Sequence, residues 1–401
     1  FSLIPAVHEG FILPVTNQKE NSEYRFLHDK VQQSVYSLIN ENEKKEKHLA
    51  IGRLLLQRAK DENKLNEAIL SIMDHFNRSL DLVNAPKERY ELAEYNLLAG
   101  RKVKTSAAYD SALQYFRSGR ILLSDNCWDI CYKLSYDLYL EQAQAEYLSG
   151  NTDIAEKLFD IVSQNASDEV ERARICCLKV LLYANTGKYD EAVCTGLKAL
   201  NNLGMRIPVN PNSLDYIKEL LKYKWNMRNK KIEDLISLPE MKDPVQKMIA
   251  ELLSRLCSVT MTTHPDLYSY IIIKTGNHAT RYGNSYMASV GYFGYSFTMG
   301  IIMGDYKTGG RFAKVCIYLA KKYGHSAYQC IIYFVIGAFI IHWNDPLSYA
   351  LDYMEKAILY GKEAGDVLII GYANCMIMEI RYLLGTSITE MKRIIKENHE
   401  T

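Results

Sequence analysis

The sequence predicts an all-α chain built as a stack of helix pairs, on three observations. Apolar residues recur at helical spacing through most of the 401 residues. A frame of small and large residues returns five times, each copy inside an amphipathic stretch. Glycine, proline and capping residues punctuate the chain at intervals that suit helices of ordinary length. A single hydrophobic core stops growing at about 250 to 300 residues, so a chain this long is either multidomain or an elongated array.

In the frame, Gly150 precedes Ala155, with Phe159 and Val162 following four and seven residues after that alanine. GKYDEAV repeats it with Gly187, Ala192, Gly196 and Ala199. An earlier copy has Ala112, Phe116 and Gly119; later ones have Gly304, Gly309, Ala313 and Cys316, then Ala350, Met354 and Ala357. A glycine ending one helix and small residues on the next, letting the pair approach closely, are the frame of a tetratricopeptide-like (TPR-like) repeat. The Ala112–Ala155 spacing is 43 and the Ala155–Ala192 spacing 37, so the units are degenerate.

Taken in order, residues 1–40 read as the end of a winged-helix domain. Phe11 to Val15 and Tyr24 to Leu27 pair as a short hairpin across the polar loop Thr16 to Ser22, and His28 then opens a helix whose stripe Leu27, Val31, Val35 and Leu38 packs inward. Residues 41–86 are connecting helices. Residues 87–204 form a first TPR-like sub-array, with helices 87–105 and 107–123, 128–148 and 152–166, 169–186 and 189–203. Residues 205–243 are an irregular linker with one helix near 213–228. Residues 244–401 form a second TPR-like sub-array, pairing 244–262 with 264–282, 285–302 with 306–322, 326–342 with 347–363, and 366–384 with 387–397. Asp168, Asn212 and Ser387 are the expected N-caps.

Composition narrows function by exclusion. The 48 basic and 47 acidic residues leave a net charge of +1, so no global field recruits nucleic acid or an anionic membrane. Nine cysteines, with no CxxC pair, suit a reducing cytoplasm, and Cys127 and Cys131 fall on one helical face as small buried thiols. The run Ile331 to Ile341 is shorter than a bilayer requires and reads as a buried helix, so no membrane insertion is expected. The opening FSLIPAVHEGF has no basic n-region and reads as a piece of something larger rather than as a signal peptide.

EGFILPV, YRFLHDKVQQSVYSLI, KHLAIGRLLL and LLAGRKVKTSAAYDSALQYFRSGRILL, continuing through EQAQAEYLSG, GLKALNNLGMRIP, ISLPEMKDP, YGNSYMASVGYFGYS, FIIHWNDP and the turn at Gly365-Asp366, together carry a resemblance. The chain resembles the region after the ATPase in large bacterial multidomain proteins. In these a serine/threonine kinase precedes a STAND-type AAA ATPase, a helical repeat, a GAF domain and a sensor histidine kinase. The resemblance implies a non-catalytic repeat scaffold and regulatory arm between ATPase and kinase output. Its partners would be proteins or neighbouring domains of the same chain, not nucleic acid. ATP or ADP and Mg belong to the parent protein, with no cofactor in this segment. No GxxxxGK[ST] loop and no kinase or histidine-kinase motif occurs here. Two other readings are a free-standing TPR-like adaptor and the sensor arm of a LuxR-type ATPase transcription regulator.

No catalytic or metal-ligating set is expected. The resemblance implies a nucleotide contact from His28 to an ATPase domain, while the residues alone allow a helix cap beside Asp29. His342 and Trp343 are expected to close the end of a helix. Arg101, Lys102 and Lys104, and Lys222, Lys224, Arg228, Lys230 and Lys231, are expected as solvated basic faces. Tyr132, Tyr136, Tyr139 and Tyr147 either line a peptide-binding groove or fill gaps between degenerate repeats.

Overall fold

A computed structural model describes residues 3–14, 24–106, 108–364 and 366–399. The chain divides into two compact units, Phe1–Asn165 and Ala166–Thr401. Among the described residues the fold is all-α, its one sheet being a two-stranded hairpin.

The first unit begins with α1 (Ile4–His8), β1 (Ile12–Pro14), β2 (Tyr24–Phe26) and α2 (Asp29–Leu38). The strands are antiparallel with Ile12 opposite Phe26; the expected loop between them lies outside the described residues. The order helix, two strands, helix is as expected, but the inward stripe is not. Leu27, Val35 and Leu38 are 56%, 45% and 85% exposed, and α2 buries no residue. The period was satisfied without a surface for the stripe to meet among the described residues, and spacing alone cannot supply one.

Then come α3 (Glu41–Asp61), α4 (Leu65–Asn77), α5 (Pro86–Lys104), α6 (Tyr109–Leu122), α7 (Cys127–Ile130), α8 (Tyr132–Leu148) and α9 (Thr152–Asn165). The pairs α3–α4, α5–α6 and α8–α9 pack together, and α6 also packs on α8. Every residue of the Ala112, Phe116, Gly119 copy is buried. The Phe116 ring rests on α5 where Gly100 leaves room; a Cβ there would stand 2.3 Å from it. A fully buried phenylalanine contributes about 1.5 to 3 kcal/mol, so the glycine is part of that gain. Between α6 and α8, the fully buried Glu146 carboxylate accepts from Arg117 at 2.8 Å, Gln142 at 3.0 Å and Asn151 at 2.9 Å. Burial pushes its pKa up, and these donors outweigh burial and hold it below the ordinary value.

The second unit contains α10 (Glu169–Asn185), α11 (Tyr189–Asn202), α12 (Ser213–Met227), α13 (Pro244–Thr263), α14 (Pro265–Tyr282), α15 (Ala288–Phe297), α16 (Tyr306–Tyr323), α17 (Ser326–Phe339), α18 (Tyr349–Ala364), α19 (Val367–Leu383) and α20 (Ile388–His399). The expected pairs form, and α14 also packs closely on α15. Met354 sits over Gly337 as Phe116 sits over Gly100: a Cβ there would meet the methionine at 2.5 Å. Ala155, Ala192 and Ala350 are fully buried, as the frame requires. Gly187 closes α10 at φ 76°, where the Lys188 N–H reaches the Tyr183 carbonyl; a side chain would be strained there.

Three expected helices are interrupted. Residues 128–148 break at Cys131, which takes φ −137°, ψ 54° between α7 and α8, so the two thiols do not share a helix face. Residues 285–302 begin as a helix only at Ala288 and widen into a π-helix, Thr298–Ile302. Residues 326–342 end at Phe339 and continue as a 3-10 turn, Ile341–Trp343. The last two meet: the Trp343 indole occupies the space that side chains at Gly300 and Gly309 would fill. It therefore packs across the unit rather than closing its own helix end.

Candidate partner-binding site

α11 turns Ala192, Gly196 and Ala199 into the core. Asp190, Val193, Cys194, Leu197, Lys198 and Asn201 of the same helix line an open groove of about 540 Å³. The chain after α11 supplies the other wall through Arg206, Ile207 and Val209, and His264 at the start of α14 closes one end. Val193 and Leu197 form a nearly buried apolar floor. The His264 imidazole is fixed by Asp190 at 3.2 Å and the Thr263 hydroxyl at 2.9 Å. At the rim Lys198 and Arg206 are exposed, and neither forms an ion pair among the described residues. An apolar floor with free cations suits an apolar side chain flanked by anionic groups.

The next helix is held from below. Glu219, 2% exposed, is the anchor of α12 on α14. Its carboxylate accepts from Lys222 at 2.7 Å, Lys274 at 3.1 Å and Asn277 at 2.9 Å. The Asn277 amide also donates to the Glu219 carbonyl at 3.0 Å. Burial raises the carboxyl pKa, and the Lys222 hydrogen bond, the Lys274 charge and Asn277 together bring it below the ordinary value. Tyr216 adds a hydrogen bond to the Asp266 carbonyl, so the first turns of α12 and α14 are tied together close to His264.

In the first unit, α2, α3 and α4 line a smaller open cavity of about 400 Å³ through Gln32, Gln33, Tyr36, His48, Ser71, Asp74, His75 and Arg78. The Tyr36 hydroxyl meets His48 Nε2 at 2.9 Å, and His48 Nδ1 meets His75 Nδ1 at 2.8 Å. Burial lowers both imidazole pKa values, helped at His48 by His75 and then Arg78, and at His75 by Arg78 against Asp74. At the 2.8 Å contact one ring nitrogen donates and the other accepts, an arrangement the lowered pKa values favour. This chain of hydrogen bonds couples α2, which follows His28, to the helices that start the repeat.

His28 stands at the N-cap of α2, exposed, and its side chain makes no capping hydrogen bond. His342 is exposed with no hydrogen-bond partner among the described residues. Arg101 and Lys104 are not a free basic face: both bind Glu141, at 2.8 Å each. Lys102 donates to the Asn66 carbonyl, Lys222 to Glu219, and the Arg228 guanidinium lies 3.9 Å from the Trp225 ring centroid. Tyr136 is buried, while Tyr132, Tyr139 and Tyr147 are half-buried, with Tyr132 and Tyr139 against Trp128. All nine cysteines are free, and among the described residues no group of three or more His, Cys, Asp or Glu is placed to hold a metal. Ser326–Trp343 passes by length and composition as a membrane span, but 67% of it is buried within the protein, in keeping with a buried helix.

Glu219, the His48–His75 pair and the groove are not among the candidate site residues that the sequence motifs single out. A signal existed for the first: Glu219 stands past the capping turn among Leu, Tyr and Trp at helical spacing, and an acid there needs a cationic partner when its face is buried.

No family model matches the chain. It is 23% identical over 424 residues to hybrid signal transduction histidine kinase G of Dictyostelium discoideum, covering 95% of this chain and 12% of that protein. The chain thus spans a small part of the curated relative it matches, and that relative does not come from a bacterium. Among solved structures it is similar to a STAND protein with a tetratricopeptide-repeat sensor from Pyrococcus horikoshii, with TM-score 0.32 and 13% identity over 99% of this chain and 57% of that one.

Proposed function

We propose that this chain is a non-catalytic helical-repeat scaffold and regulatory arm within a large multidomain signalling protein. It would transmit partner binding between a STAND-type ATPase and kinase output domains. The observation that carries the reading is the similarity, along 95% of this chain, to a 12% portion of a signal transduction histidine kinase. The helix pairs support it, since stacked repeats offer surfaces and pass displacement from neighbour to neighbour. In this reading ATP or ADP and Mg bind the ATPase part of the longer protein, the surroundings are cytoplasmic, and the partners are proteins or neighbouring domains.

The exposed His28 side chain is then the contact to the nucleotide phosphates, and the Tyr36–His48–His75 chain carries its position into α3 and α4. Losing one charge-assisted hydrogen bond removes about 1.5 to 3 kcal/mol from the closed state alone. In a longer protein containing both the ATPase and this chain, His28→Ala is expected to speed ADP dissociation roughly tenfold or more without altering thermal unfolding. Stopped-flow displacement of a fluorescent ADP measures it. Identical rates would remove His28 from the nucleotide site.

A further inference from the structure

α12 has two faces. Its inner face, with Tyr216, Glu219, Leu220 and Tyr223, is fixed on α14 through the Glu219 network. Its outer face carries Leu214, Ile217, Leu221 and Trp225, which are 65%, 50%, 60% and 66% exposed. At 3.6 residues per turn these four fall within an arc of about 80°, a seam with spacings of three, four and four. Exposed Lys218 and Lys222 border one side, Lys224 the other, and Arg228 lies over Trp225 at the end. The two acids of α12 lie off the seam: Glu219 is buried and holds Lys222 at 2.7 Å, and Asp215 caps the helix through the Asn212 backbone N–H with one oxygen 3.9 Å from Lys218, so the border keeps a positive excess through Lys224 and Arg228. The groove beside α11 repeats this pattern, with its apolar floor and the unpaired Lys198 and Arg206.

We propose that the outer face of α12 is a docking surface for an acidic amphipathic helix of a protein partner, whose apolar seam packs on Leu214, Ile217, Leu221 and Trp225 and whose flanking carboxylates meet Lys218 on one side and Lys224 on the other, Lys222 being held by Glu219. Charge decides the occupant. A second copy of this chain would bring lysines against lysines. A membrane surface takes a helix with a broad apolar face, whereas this seam is as narrow as that of a coiled coil. A partner that wraps a free basic helix is excluded while the Glu219 network holds the inner face down. Truncating the seam removes the apolar contact; reversing the lysines reverses the choice of partner.

The proposal deepens the scaffold reading and rests on it, but its test needs only this chain, so a failure here leaves transmission from the ATPase standing. The probes are two synthetic three-heptad peptides with a leucine seam, one flanked by glutamates and the other by lysines, titrated with the full chain by fluorescence anisotropy. The glutamate peptide is expected to bind saturably and more weakly in high salt, and the lysine peptide not to bind. Leu221→Glu and Trp225→Glu alter exposed side chains, so the fold should persist by circular dichroism while affinity falls at least tenfold. The double variant Lys218→Glu, Lys224→Glu should prefer the lysine peptide. The proposal is overturned if the glutamate peptide does not bind, or binds Leu221→Glu equally well. It is also overturned if phosphatidylserine vesicles bind the chain where the peptide does not, or if the chain forms a dimer that Leu221→Glu abolishes.

Discussion

Glu219→Ala is expected to cost about 3 to 5 kcal/mol, because it leaves a nearly buried lysine charge without its counter-ion. Lys274, 13% exposed, would keep only the Tyr270 hydroxyl at 3.4 Å, and Asn277 would lose its carboxylate acceptor. The effect is local first, since the polar contacts that hold α12 on α14 are this network, the Tyr216 hydrogen bond and the Asn226–Asn277 hydrogen bond at 3.2 Å, beside the packing of Tyr216 on Tyr270 and of Tyr223 on Tyr295. Amide exchange across 213–227 should therefore accelerate before the rest of the second unit unfolds. Glu219→Leu with Lys274→Met, which replaces both charges by apolar groups, should recover most of the loss. A single-variant cost below about 1 kcal/mol, or unchanged exchange in α12, would contradict the anchoring role. Acid should act in the same direction. The carboxyl sits below its ordinary value of 4.5 in the folded chain, so the unfolded chain takes up the proton first. The stability it contributes is present above that value and is lost as pH falls through the folded-state pKa.

Gly294→Ala should be the second large effect. α14 and α15 approach backbone to backbone, and a Cβ at Gly294 would stand 2.1 Å from the Ile272 carbonyl oxygen. Neighbouring Gly291 faces the Thr275 carbonyl in the same way, at 2.9 Å. A carbonyl in a helix cannot swing aside like a side chain, so the helices must separate. The expected cost is about 3 kcal/mol from overpacking, offset by about 1 kcal/mol from the better helix propensity of alanine. Gly371→Ala is the control: nothing lies within 4 Å of that position on α19, so only the propensity gain should appear. Urea midpoints compare the two. Because repeat arrays need not unfold in one step, the loss at Gly294 should also appear in the exchange of α14 and α15. Equal midpoints for the two variants would show that α14 and α15 are not in close contact.

What the sequence made legible was set by local chemistry. Asp168, Asn212 and Ser387 each accept a backbone N–H at a helix start, because a short polar side chain before an amphipathic run has few other uses. The frame residues inside the second helix of each pair are buried because small and large side chains at fixed offsets describe the packed surface of a helix pair, while the leading Gly150, Gly187 and Gly304 are exposed at positive φ in the turns before those helices. What was not legible depended on distant partners. The stripe of α2 has helical spacing but no cover among the described residues. The π-helix at 298–302 accommodates an indole from residue 343, and no local propensity reports that contact. α12 was expected as one helix in an irregular linker, and Ser213–Met227 forms it. Its burial of a carboxylate rather than of its leucines becomes visible only with Lys274 and Asn277 beside it.

A scaffold that transmits and does not react should neither hold ATP tightly nor turn it over. The direct measurement is phosphate release by the purified chain with Mg and ATP, together with nucleotide binding by equilibrium dialysis. The sequence contains no phosphate-cradling loop, so release at the level of buffer alone and no saturable binding at micromolar ATP are expected. Hydrolysis above background that survives repurification, with nucleotide retained on the chain, would contradict the scaffold reading.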